Sequence, residues 1–128
     1  MILLLDTSTP VCKLTLVDAT DTYEYEWLAD RQLAKGLLHF ITTKLAEHSV
    51  DVKKLDGMGF MRGPGSFTGL RIGATVLNTI AAFEHISIVG TTGENWQNEA
   101  LELLGSGKNH QIVMPEYGRD ARITKPRK

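Results

Sequence analysis

The stretch Arg62-Gly-Pro-Gly-Ser-Phe-Thr-Gly-Leu-Arg-Ile-Gly73 joins a short apolar run to a long apolar one. Glycine lacks a Cβ atom, so it accepts positive φ angles and lets another backbone or a ligand come close. Four glycines and a proline at a strand-to-helix junction therefore predict a loop shaped for a close approach. The approaching group is either a phosphate or another protein.

The segments on both sides of this loop predict an α/β fold. Three short strands separated by turns come first, and the hydrophobic period then changes to that of alternating helices and strands. The predicted strands are 2–5, 13–17, 23–28, 57–61 and 86–89, and the predicted helices are 32–48, 67–83 and 93–104. This order predicts a five-stranded mixed sheet with helices packed on it. Residues 111–114 are apolar enough to add one more short strand.

Charge divides the chain into two parts. Residues 1–107 carry 8 basic and 13 acidic side chains, whereas residues 108–128 carry 6 and 2. We therefore predict a single domain over residues 1–104, followed by a linker and basic C-terminal tail over 105–128. A basic tail on an acidic body suits contact with RNA, with an acidic partner or with its own body.

The chain start and the cysteine content indicate a cytoplasmic protein. Cys12 is the sole cysteine, which excludes an intramolecular disulfide and fits a reducing compartment. The apolar run that begins at Met1 stops at Asp6, too early for a signal peptide or a membrane span.

The helix predicted over 67–83 has two apolar stripes. A helix lying on a sheet needs one, and burying each large side chain is worth about 1.5–3 kcal/mol, so the second stripe needs a cover as well. Either another helix of the same domain or another molecule covers it. The first stripe is Phe67, Leu70, Ala74, Leu77 and Ala81, and the second is Ile72, Val76, Ile80 and Phe83.

Two segments of the sequence have features of phosphate-binding turns. Gly69 is followed by leucine, so the glycine stretch is not a Walker A loop, and its spacing is not that of a dinucleotide-binding loop. Ser66 is then the N-cap of a helix after a tight turn, unless the helix N-terminus binds an anion. The turn Asp6-Thr7-Ser8 either orients Mg²⁺ and phosphates, as in actin-like ATPases, or forms an Asx turn.

Other catalytic patterns are missing from the sequence. The four histidines lack the His-x-x-x-His spacing of a helical metal site. Ser66 lacks the Gly-x-Ser-x-Gly elbow of a nucleophilic serine. We therefore predict no catalytic residue and no metal site.

Three segments together resemble the bacterial TsaB (YeaZ) family. They are Ile2-Leu-Leu-Leu-Asp6-Thr-Ser-Thr9, the glycine stretch, and Ile88-Val-Gly90, and the resemblance covers residues 1–104. It implies a ribonuclease H-like fold of the actin-like ATPase (ASKHA) type. It also implies a non-catalytic scaffold that binds and activates TsaD, which transfers threonylcarbamoyl to adenosine in tRNA.

The resemblance also implies the cofactors, partners and site residues. ATP and the metal ion are expected on TsaD, with no cofactor on this chain alone. TsaE is a further partner, a homodimer is expected when TsaD is absent, and tRNA contact is indirect or made by the tail. The implied TsaD-binding residues are Gly63, Pro64, Gly65, Leu70, Ile72, Gly73, Val76 and Ile80. The residues of a vestigial nucleotide site are Asp6, Thr7 and Ser8.

One departure from the family concerns length. TsaB chains continue for about another domain, whereas residues 115–126, which resemble the family's C-terminal tail, follow here soon after helix 93–104. We expect the second domain to be deleted internally. The alternative function is a small ATP-binding hydrolase or a peptidase-like enzyme of the same fold.

Overall fold

The computed structural model describes residues 1–116 and contains the predicted five-stranded mixed sheet. The strand order is β3-β2-β1-β4-β5. β1 pairs antiparallel with β2 and parallel with β4, which continues parallel to β5, and β2 pairs antiparallel with β3. The strands are β1 (Ile2–Asp6), β2 (Val11–Val17), β3 (Thr22–Leu28), β4 (Gly57–Met61) and β5 (Ile88–Thr91).

The three predicted helices are present, with small changes at their ends. They are α1 (Leu33–Ala46), α2 (Phe67–Glu84) and α3 (Trp96–Gly105). α3 begins three residues later than expected, because Gly93 has a φ of 91° and accepts a hydrogen bond from the Trp96 N–H in a turn. α1 ends at Ala46, before a turn in which Ser49 has a φ of 59°.

The central strand β1 separates two apolar clusters. Leu3 and Leu5 lie with α1 and α2 in the larger cluster, whereas Leu4 lies with Val89 and Ala100 of α3 on the opposite face. Successive side chains of a strand point to opposite faces, so a strand covered on both sides is apolar throughout. The continuous leucine run of β1 follows from this position.

α2 packs on the sheet through the inner part of its first stripe. Leu70, Ala74, Leu77 and Ala81 are buried, whereas Phe67, the first residue of the helix, is 53% exposed. The prediction that the whole first stripe lies on the sheet was therefore wrong for Phe67, which lies at the start of the helix. At the helix start, Ser66 accepts a hydrogen bond from the Gly69 N–H at 3.2 Å and is the predicted N-cap.

The second stripe of α2 is covered in part within the domain. Ile80 is buried, while Ile72 and Val76 are half-buried and pack against the same cluster. α1 lies beside this stripe and leaves its outer edge in solvent. Phe83, the last member of the stripe, is 82% exposed. Cover by a helix of the same domain therefore applies to a part of the stripe, and cover by another molecule stays a prediction.

Residues 109–116, which we call the strap, run along the free edge of β5. The His110 N–H donates to the Ile88 carbonyl oxygen, and the Ile88 N–H donates to the Asn109 side chain. The expected strand over 111–114 does not form, since Gln111 has a φ of 71°, which is not a strand conformation, and its N–H donates to the Asn109 side chain. Val113 reaches the larger apolar cluster, so this part of the predicted linker contacts the domain. The division at residue 104 stays a prediction, and residues 117–128 lie outside the described part.

No helix within residues 1–116 combines the length and apolar character that a membrane crossing requires.

Substituting Gly73 with alanine should destabilise the fold. A Cβ there would overlap the Thr7 hydroxyl oxygen and lie 2.7 Å from the Phe60 ring. Overpacking costs roughly 1–3 kcal/mol, while alanine in place of glycine in a helix recovers about 1 kcal/mol. We expect a net loss of up to about 2 kcal/mol in the free energy of unfolding, measured by urea denaturation.

Gly105→Ala is the matched control, because a Cβ at this end of α3 has no atom within 4 Å. Its free energy of unfolding should stay the same or rise. Equal effects of the two substitutions would contradict the close packing of α2 on Thr7.

Candidate functional site

The glycine loop, residues 62–66, lies against the turn that follows β1. The Ser66 N–H donates to the Ser8 carbonyl oxygen at 2.8 Å. A Cβ on Gly65 would lie 2.5 Å from the Ser8 Cβ, and one on Gly69 would overlap the Thr7 carbonyl oxygen. The group that approaches Gly65 and Gly69 closely is therefore the turn after β1, which belongs to the same chain.

Thr7 joins this turn to the start of α2. Its side chain is fully buried, and its hydroxyl donates to the Gly69 carbonyl oxygen at 2.7 Å. The same hydroxyl lies against Gly73, one turn further along the helix. The sequence analysis identified both segments and missed this contact, which joins residues 62 positions apart.

Asp6 forms the Asx turn that was one of the two alternatives for this segment. One of its carboxylate oxygens accepts from the Ser8 N–H at 2.9 Å and from the Ser8 hydroxyl at 2.6 Å. Asp6 also borders a polar cleft of about 340 Å³ shared with Lys13, Asn95 and Gln97. A vestigial nucleotide site at Asp6, Thr7 and Ser8 stays a prediction. In this structure the Asp6 carboxylate bonds to Ser8.

An apolar groove lies between α1 and α2, and we call it the α1–α2 groove. Its widest part is a hollow of about 370 Å³. One end borders Thr9, Pro10 and Ser66 beside the glycine loop. The other end borders Leu38, which is 51% exposed. The residues of the widest part are Ala34, Thr68, Arg71, Ile72, Thr75 and Val76.

The rim of the α1–α2 groove carries a cation and an aromatic ring. The Arg71 guanidinium lies 5.5 Å from the centre of the Phe67 ring. Arginine and aromatic residues are enriched among the side chains that dominate binding energy at protein interfaces. The groove therefore combines an apolar floor with side chains suited to a protein partner.

The predicted partner-binding residues divide by exposure. Pro64 and Gly65 are exposed, and Ile72 and Val76 are half-buried in the α1–α2 groove. The remaining four, Gly63, Leu70, Gly73 and Ile80, are buried. Leu70 and Gly73 face the sheet, so within this domain they position α2 rather than offer surface.

Sequence reasoning missed the contribution of α1. Leu37 and Ile41 belong to the buried stripe of this helix, and Leu38 lies beside that stripe, on the groove side. The sequence signal that could have identified this contribution is Leu38, a large apolar residue just outside the buried stripe of α1. Thr75 was missed as well, because threonine is common on exposed helix faces.

Within residues 1–116, no group of three or more histidine, cysteine, aspartate or glutamate side chains is placed to share a metal ion. The candidate site consists of the α1–α2 groove and the glycine loop.

Comparison with known proteins identifies the family. The family model described as TsaD: tRNA N6-adenosine threonylcarbamoyltransferase matches residues 27–123. The tRNA threonylcarbamoyladenosine biosynthesis protein TsaB of Haemophilus influenzae is 38% identical over 80 residues, and that of Escherichia coli is 27% identical over 129. This chain belongs to the TsaB (YeaZ) family within that wider group. Two Pseudomonas aeruginosa structures, one described as YeaZ and one as similar to peptidase YEAZ, match it at 31% identity with TM-scores of 0.66 and 0.67.

The TsaB and YeaZ relatives are longer than this chain. The Haemophilus match covers 62% of this chain and 34% of the relative, and the Escherichia match covers 93% and 55%. The two structural matches cover 71% of this chain and 42% or 43% of theirs. The shared part has the ribonuclease H-like, actin-like ATPase (ASKHA) fold that the resemblance implied.

Cys12 should be unreactive in the folded TsaB-family domain. Burial, and to a smaller extent the negative charge of Asp6, raises the pKa of its thiol to about 12. The thiolate is the reactive form, and at pH 8 the folded protein should therefore resist a thiol-specific reagent such as Ellman's reagent. The same reagent should titrate one thiol after unfolding in urea. Rapid labelling without urea would contradict the burial of Cys12.

Proposed function

We propose that this chain is a non-catalytic subunit in tRNA threonylcarbamoyladenosine biosynthesis and that it binds a TsaD-family partner through the α1–α2 groove. Membership of the TsaB family supports the pathway. The observation that supports this binding surface is the half-exposed apolar groove, which has Ile72 and Val76 on its floor and Leu38 at its end.

The groove favours a protein partner for energetic reasons. Its apolar side chains are already partly desolvated, and a covering surface removes the remaining apolar area at about 25 cal/mol per Å². The threonines along α2 offer hydroxyls at the rim without adding charge. A helix of a second protein fits such a surface, because an amphipathic helix places its apolar face in a hydrophobic groove.

The glycine loop would contribute a preorganised edge to this interface. Ser66 lies at the loop end of the groove, and the contacts of Ser66 and Gly69 with the first turn fix the loop before binding. A loop that is already ordered loses less conformational entropy when a partner binds. Pro64 and Gly65, which are exposed, are the residues of this loop that would touch the partner.

Catalysis, with ATP and the metal ion, is assigned in this proposal to the TsaD-family partner. The other partner assignments, namely TsaE, a homodimer through the same groove when TsaD is absent, and tRNA contact by the basic residues after 108, stay predictions. A homodimer on the groove would compete with the TsaD complex, since both would cover Val76.

Leu38→Glu should weaken the complex with the TsaD protein of the same organism. The new carboxylate would lie at the covered end of the groove without a partner charge. We expect a cost of about 1.4 kcal/mol or more, which is a rise in Kd of roughly tenfold or more. Titration calorimetry measures the Kd, and light scattering after gel filtration measures the mass of the complex.

Leu28→Glu is the matched control for this experiment. Leu28 is a 70% exposed leucine at the end of β3, outside the α1–α2 groove. It should leave the Kd unchanged. An unchanged Kd for Leu38→Glu, or no complex for the unmodified chain, would contradict the proposed surface.

Asp6→Ala distinguishes the subunit from the alternative ATP-hydrolysing enzyme. An enzyme that uses Asp6 to orient Mg²⁺ would lose its ATP turnover, measured by phosphate release on the chain alone. We expect no ATP turnover by the unmodified chain that depends on Asp6, and a loss of about 1 kcal/mol of stability from the broken Asx turn. Asp6-dependent turnover would favour the enzyme.

A further inference from the structure

Asn78 connects α2 to the strap by two hydrogen bonds. Its side-chain N–H donates to the Val113 carbonyl oxygen at 2.9 Å, and its side-chain carbonyl accepts from the Val113 N–H at 2.9 Å. An asparagine side chain used in this way replaces a neighbouring strand, since it offers a backbone one donor and one acceptor. Val113 is the strap residue that is buried, at 2% exposure, with Ile112 and Met114 exposed on either side.

The strap continues from this contact to the glycine loop. The Arg62 side chain donates from Nε to the Met114 carbonyl oxygen at 2.8 Å, and the Glu116 N–H donates to the Arg62 carbonyl oxygen at 2.7 Å. Gly63, with a φ of 129°, lies so close that a Cβ there would overlap the Glu116 carbonyl oxygen. The end of the strap therefore packs on the first two residues of the loop.

The glycine loop is thus fixed at both ends by different parts of the chain. The turn after β1 holds its last residue, Ser66, and the strap holds Arg62 and Gly63. Only the exposed pair Pro64 and Gly65 lies between these attachments. Release of either attachment would let this exposed pair move.

We propose that Asn78 is a positioning residue for the partner-binding loop: by anchoring Val113 it keeps the strap against Arg62 and Gly63 and so fixes the exposed residues of the loop. The inference rests on the proposed function for its partner and on the contacts above for its mechanism. Asn78 lies on α2 and reaches the loop through the strap. Its substitution therefore acts on binding from a distance.

The test compares Asn78→Ala with Asn98→Ala in the full chain. Asn98 lies on α3, where its side chain contacts Asn95, and serves as the matched control. Residue-resolved amide hydrogen exchange reports on the chain alone. In Asn78→Ala we expect about tenfold faster exchange at Val113 and Glu116 in the strap and at Ser66 in the loop, in line with the loss of two hydrogen bonds. Asn98→Ala should match the unmodified chain at these positions.

The second readout is the Kd for the TsaD protein of the same organism, which should rise about tenfold in Asn78→Ala and stay constant in Asn98→Ala. Faster exchange at Val113 with no change at Ser66 would overturn the inference, as would an unchanged Kd alongside faster exchange at both. If the unmodified chain forms no complex, the proposed function fails. The exchange at Ser66 then still decides whether Asn78 positions the loop.

Discussion

The buried hydroxyl of Thr7 is the contact on which the arrangement of the site depends. It bonds the Gly69 carbonyl oxygen and packs against Gly73, so the turn after β1 and the first two turns of α2 form one unit. This close approach is available only because both partners in the helix are glycines. The start of α2 therefore lies close to the sheet, with Gly73 against the ring of Phe60 in β4.

Much of the fold could be predicted because its signals are local. The leucines of β1 and the helical stripes of α1 and α2 each occupy one continuous segment. The contact between the glycine stretch and the turn after β1 could not be predicted. Thr7 and Gly69 are far apart in sequence, and neither segment by itself indicates that the two residues meet. The strap was also missed, because its connections use the side chains of Asn78, Asn109 and His110 rather than a strand pattern.

The candidate site shows the same division between local and distant information. The second apolar stripe of α2 includes Ile72 and Val76, which border the groove. The stripe gave no means of separating these two from Ile80, since all three are apolar and only packing within the domain makes Ile80 inaccessible. The exposure of a side chain decides whether a partner can contact it, and this exposure depends on how the helices and the sheet pack together.

The side chains that cap β5 also determine how the sheet can grow. Asn109 and His110 accept hydrogen bonds from the Ile88 and Gly90 N–H groups, so that edge has no row of open donors for a strand from another molecule. The opposite edge strand, β3, carries Glu24 and Glu26 on its exposed face, and charge at an edge discourages pairing between molecules. Each edge therefore has its own protection against aggregation, a folded segment on one side and like charge on the other.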